Sequence, residues 1–190
     1  MLLLIFYYSA AHAQEEVNVH PLKNQRMHQL GGKRYYYGEA REIFSLAFMY
    51  TLQQNLLSFK KSSLSAGTHF SAGFSGTPSF RNHYFPFILD IPLVAEYNKG
   101  FGSARDRDNG LGYYVGFGYS FQHVYLPYRY GGSSWYSGPV MTGGFRFPFS
   151  GVAPLDLGIS YMPKASGLSG SRNIFGISLS YMFNVSGNYR

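Results

Sequence analysis

The chain has 190 residues, enough for one closed core, with 19% aromatic residues, 23 glycines, no cysteine and only 13% charged residues, against about 25% charged in an average soluble domain. This excludes disulfide scaffolds, thiolate metal centres and cysteine nucleophiles, and an aromatic-rich, charge-poor chain is not disordered. The formal charge of +7 is scattered, Lys60 and Lys61 forming the largest basic pair, so the clustered cations of a nucleic-acid surface are missing and no nucleic-acid partner is expected.

In chain order, MLLLIFYYSAAHAQ joins an apolar stretch to Ala11-His12-Ala13, the small-residue pattern of a secretory signal peptide, read here as residues 1–13 with cleavage before Gln14. Residues 14–30 are polar and unpatterned, a tail ahead of a single domain over 31–190. No later run approaches the eighteen or so apolar residues of a spanning helix. KRYYYGE (33–39) and AREIFSLAFMYTL (40–52) supply two candidate strands, the second with Phe44, Leu46, Phe48, Tyr50 and Leu52 on one face.

From there the pattern sharpens. LSAGTHFSAGF (64–74) sets Leu64, Phe70 and Phe74 against Ser65, Gly67, His69, Ser71 and Gly73, and FILDIPLVAEY (87–97) sets Phe87, Leu89, Ile91, Leu93 and Tyr97 against Asp90 and Glu96. LGYYVGFGYSF (111–121) opposes Leu111, Tyr113, Val115, Phe117, Tyr119 and Phe121 to Gly112, Gly116, Gly118 and Ser120. PVMTGGFRF (139–147), PLDLGISYM (154–162) and NIFGISLSYMFNV (173–185) repeat the code, with Arg146, Asp156, Ser178 and Ser180 on the small or polar face.

Successive strand side chains point to opposite faces, so one face of each segment is bulky and apolar while the other is small, polar or ionic. A soluble barrel would be apolar inside and hydrated outside; this pattern is the inverse. Each segment also approaches the nine to eleven residues a tilted strand needs to cross a bilayer. A barrel in hydrocarbon must close, and bacterial single-chain barrels have even strand numbers. The expected fold is therefore all-β: a transmembrane antiparallel up-and-down β-barrel of eight strands in the bacterial outer membrane. SGVA (150–153) reads as a periplasmic turn, LPYRYGGSSW (126–135) and KASGLSGSR (164–172) as longer outer loops, and NKGFGSARDRDNG (98–110) as a periplasmic connection long for a turn.

The succession LDIPLVAEYNKG, GLGYYVGFGYSF, GPVMTGGFRF, LDLGISYMP and NIFGISLSYMF resembles the small porin-like outer-membrane β-barrel family of Gram-negative bacteria over about residues 64–185. The stretch Ile91-Pro92-Leu93 and the aromatic-terminated last strand are its most specific elements; here NVSGNYR follows Phe183. The resemblance implies insertion by the outer-membrane barrel assembly machinery, with outer-membrane lipid and lipopolysaccharide, and an envelope protein, as partners.

Candidate chemistry is sparse. Asp90, Glu96, Arg146 and Asp156 project inward, with Lys164 near a mouth, and an eight-stranded lumen is just wide enough for side chains, so Arg146 is expected to bridge at least one of the three carboxylates and plug it. His69 and Ser71 share that inward face, and THFSAG is similar to the His-x-Ser-Asn motif of outer-membrane lipid A deacylases, with Ala72 in place of the asparagine. DRDNG (106–110) lacks the ligand spacing of a calcium loop and reads as a turn; no metal or cofactor is expected. Tyr125, Tyr128, Trp135 and Tyr136 read as an interfacial aromatic girdle. The expected role is structural, anchoring or interactive, not enzymatic; the alternatives are a lipid A deacylase-like hydrolase using His69 and Ser71, or a narrow pore.

Overall fold

The computed structural model describes residues 26–37, 44–59, 61–76, 87–101, 103, 110–126, 132–148, 155–167 and 170–184. Its strands are β1 (Arg26–Tyr37), β2 (Phe44–Ser58), β3 (Ser62–Gly76), β4 (Phe87–Lys99), β5 (Gly112–Leu126), β6 (Gly132–Phe147), β7 (Leu155–Gly167) and β8 (Gly170–Asn184). Each pairs antiparallel with the next, and β8 returns to β1, closing an up-and-down barrel. The expected signal peptide, most of the tail, the turn at 150–153 and DRDN (106–109) lie outside the described residues.

The strands β2 to β8 keep the parity read from the sequence, β7 as far as Met162. Leu46, Phe48, Phe74, Leu93, Val115, Phe117, Met141, Ile159 and Leu179 stand exposed on the outside, while Ser65, Asp90, Glu96, Ser120, Arg146, Asp156 and Ser180 are buried inside. Closure dictates the stagger. The partner circuit runs from Arg26 through Gln54, Ala66, Ala95, Phe117, Met141, Tyr161 and Phe175, and re-enters β1 at Tyr36, ten residues beyond its start. Such a shear over eight strands requires them to tilt by roughly 35–45°. It also sets side chains far apart in sequence at one level of the lumen.

The small residues are small because the wall is crowded. A Cβ on Gly118 would overlap the Leu93 carbonyl and stand 2.7 Å from Val94 Cα, and one on Gly116 would stand 2.5 Å from Glu96 Cγ and Thr142 Oγ1. Glycine thus lets neighbouring backbones and lumen side chains approach. Gly100, with φ of +76°, turns the chain out of β4; its N–H reaches the Lys61 carbonyl at 3.0 Å, and the Ser103 hydroxyl reaches the same carbonyl at 3.0 Å. The long connection after β4 is in this way tied to the β2–β3 turn at the same end.

Three expectations change. Strand β1 begins at Arg26, so residues 26–30 belong to the barrel and not to a tail: Gln29 and Leu30 alternate in and out like any other pair. Residues 164–172 do not form a long loop. β7 runs to Gly167 and β8 starts at Gly170, because a Gly-rich segment pairs as readily as it loops when closure supplies partners. Likewise β6 starts at Gly132, which takes residues 132–135 out of the expected outer loop.

Candidate functional site

The lumen is built in two storeys. Asp156 and Glu96 lie in the half nearer the β2–β3 and β4–β5 connections and Asp90 lies toward the β3–β4 end, and each of the three meets one basic side chain. Arg146 donates from Nε to Asp156 Oδ2 at 3.0 Å and from Nη1 to Asn98 Oδ1 at 2.7 Å, its guanidinium 4.6 Å from the Tyr114 ring centroid. Asp156 also accepts from Tyr114 OH at 3.1 Å and Gln29 Nε2 at 3.3 Å. One level up, Glu96 accepts from His69 Nε2 at 2.7 Å, Thr142 Oγ1 at 2.9 Å, and Gln53 Nε2. Higher still, Lys33 Nζ stands 3.2 Å from Asp90 Oδ2, and Asp90 accepts from Tyr35 OH and Ser120 Oγ, each at 2.5 Å.

Desolvating an ion is expensive unless its lone pairs and protons find partners, which is why each carboxylate has gathered hydroxyls and amides around it. The expected bridge from Arg146 is present, to Asp156. Asp90 and Glu96 take Lys33 and His69 instead. Lys33 was missed as a lumen residue because tyrosines occupy both parities of KRYYY; the signal was present in the arithmetic of charge, since three inward carboxylates with one inward arginine demand further cations. Gln122, fully buried, has no hydrogen-bond partner on its amide among the described residues.

Toward the β7–β8 turn the lumen is largely apolar, with Tyr35 joining it to Asp90. Tyr35, Tyr37, Ala47, Ile88, Val124, Tyr136, Met162, Ala165 and Ile174 form one buried cluster inside the barrel. The other half mixes Val94, Tyr114 and Met182, also buried, with the ionic and small residues. A void of about 20 Å³ is lined by Lys33, Met49, His69, Tyr114 and Thr142 among others, room for about one water.

His69 and Ser71 are both buried and inward, as expected, but they do not meet. Imidazole Nε2 is taken by Glu96 and Nδ1 lies 2.9 Å from Thr51 Oγ1. Since the single proton of Tyr35 OH goes to Asp90, Ser71 Oγ donates to that phenol oxygen. No nitrogen of His69 is left to take the Ser71 proton in this arrangement, the first requirement of the hydrolase alternative.

Of the expected girdle, Tyr125 and Trp135 are exposed on the outside, with the His123 ring 4.5 Å from Trp135. Tyr136 is not in the girdle. It is 3% exposed and belongs to the apolar cluster inside, as its even number, shared with Arg146 on the same strand, could have shown. Tyr128 lies outside the described residues.

No family model matches the chain, and no curated protein matches its sequence. Solved structures do match by fold. Neisserial surface protein A is similar over 84% of this chain and 96% of its own, at 12% identity and a TM-score of 0.51. The attachment invasion locus protein of Yersinia pestis is similar over 85% of this chain and 100% of its own, at 9% identity and a TM-score of 0.56, and its complex with the heparin analogue sucrose octasulfate gives 0.55. These neighbours share the closed eight-stranded architecture, and the exterior described above, apolar on every strand, is one that only a bilayer can cover. The chain is a small eight-stranded β-barrel of the bacterial outer-membrane kind.

Proposed function

We propose that this protein is a closed, non-catalytic outer-membrane barrel that works through its outer connections and lipid-facing wall, as an anchor or interaction platform, and not through its lumen. The observation that carries this reading is the one-to-one matching of Lys33 with Asp90, His69 with Glu96 and Arg146 with Asp156, beneath an apolar storey centred on Ile88, Val124 and Ile174. Permeating ions would have to break these hydrogen-bonded pairs and pass the apolar cluster. In this reading the connections after β1, β3, β5 and β7 face outward, the barrel assembly machinery inserts the chain, and lipopolysaccharide and an envelope protein are its partners.

Planar-bilayer recording on the purified, refolded chain tests it. The expected result is no steady conductance. A large, stable, ion-selective current overturns the closed-lumen reading in favour of a pore.

A further inference from the structure

The ionic side chains buried in the lumen do not balance by themselves. Among the described residues three carboxylates, Asp90, Glu96 and Asp156, are buried there with one lysine, Lys33, and one arginine, Arg146. Two cations against three carboxylates leave one negative charge over, and the further buried base able to answer it is His69. Histidine is the side chain that ordinarily gains or loses its charge between about pH 5 and 8. With a neutral imidazole these groups carry a net negative charge; with an imidazolium they carry none.

The place of His69 matches this count. Its Nε2 lies 2.7 Å from Glu96 Oε1 and its Nδ1 2.9 Å from Thr51 Oγ1, so β2 and β4 hold the ring of β3 at both edges. Both nitrogens keep a partner in either state, since a hydroxyl can donate to Nδ1 or accept from it. The other side-chain donors to Glu96 among the described residues, Thr142 Oγ1 at 2.9 Å and Gln53 Nε2, are neutral.

The remaining groups around the ring are engaged elsewhere. Lys33 of β1, Tyr114 of β5, Thr142 of β6, Ser160 of β7 and Ser178 of β8 line the same void as His69. Of these Lys33 carries a charge, and it stands 3.2 Å from Asp90. Tyr114 donates its hydroxyl to Asp156 at 3.1 Å, and Arg146 is held by Asp156 at 3.0 Å and by Asn98 at 2.7 Å. Either cation could turn to Glu96 only by leaving its own carboxylate unmatched.

We propose that the His69–Glu96 contact is a pH-operated latch in the wall of the lumen. In mildly acidic surroundings the imidazolium completes the charge balance and ties β3 to β4; loss of its proton leaves Glu96 unmatched, and a buried ion without its partner is strongly destabilising. The attraction acts in the folded barrel and is screened in the unfolded chain. Its stabilisation is therefore present in acid and lost as the pH rises through the imidazole range. The latch rests on the closed lumen of the proposed function.

The test follows urea unfolding of the full chain refolded in phosphatidylcholine vesicles, read by heat-modifiable migration at about pH 5.5 and about pH 8.5, a window in which ordinary carboxylates stay ionised. The wild type should unfold roughly tenfold more slowly at the lower pH, the margin by which a hydrogen bond between charged groups exceeds a neutral one. His69→Gln, which can still donate to Glu96, should lose that advantage. Glu96→Gln leaves two cations against two carboxylates, so it should lose the advantage as well. The imidazole NMR signal of His69 in the unsubstituted chain needs no variant, and it should pass from imidazolium to imidazole between the two pH values. An acid advantage unchanged in folded His69→Gln, or a His69 ring already neutral at the lower pH, overturns the latch. A steady bilayer current overturns the closed lumen whatever the unfolding ratio, so the two failures are recorded apart.

Discussion

Arg146 on β6 and Asp156 on β7 are direct cross-strand partners whose side chains, with 0% and 1% exposure, form an ion pair at 3.0 Å inside the barrel. A buried pair adds little over an apolar pair of like volume, but losing one member strands the other charge. Arg146→Met should therefore destabilise the barrel by about 3–5 kcal/mol, read as a lower urea midpoint for loss of heat-modifiable migration. Adding Asp156→Leu to that variant should recover at least half of the loss. Equal loss in the single and double variants would mean that the pair does not act as a unit.

The apolar storey makes a separate prediction. Ile88 is fully buried inside the barrel among Val124, Ile174 and Met162. Truncation to Ala leaves a cavity that the stiff wall cannot collapse, with an expected cost of about 2–4 kcal/mol in the same unfolding assay. Leu93→Ala, on the 57% exposed outward side of the same strand, should cost clearly less.

Glycine positions divide by what a Cβ would strike. Gly118→Ala drives a methyl into the Leu93 backbone, whereas at Gly143 the nearest atom is the Tyr114 carbonyl at 3.4 Å. The first substitution should abolish or sharply reduce the folded gel species, and the second should leave it intact. Equal tolerance of both would show that the wall has more slack than its register implies.

A chain without cysteine accepts single reporter thiols cleanly. Labels at Phe117→Cys and Leu179→Cys should be quenched by lipid-soluble nitroxides in vesicles, and a label at Ser178→Cys should not. The reverse pattern would invert the barrel and remove it from the membrane.

What the sequence by itself determined is everything that depends on alternation. Which side chains of LGYYVGFGYSF or NIFGISLSYMF look outward follows from a period of two, a property of each strand alone, and with it the inverted pattern, the bilayer and the need for closure. Parity also put Asp90, Glu96, Arg146 and Asp156 in the lumen, and carried to the start of β6 it would have put Tyr136 there too. What only the tertiary structure decided is who meets whom across the lumen. That depends on a stagger of ten residues accumulated over eight strands, which brings Lys33 to Asp90 and His69 to Glu96 across wide gaps in sequence. It also depends on the pairing of residues 165–167 with 170–172, and on the bulge at Pro163 that leaves Lys164 exposed. Local side-chain chemistry specifies faces; the closure condition, a property of all the strands together, specifies contacts.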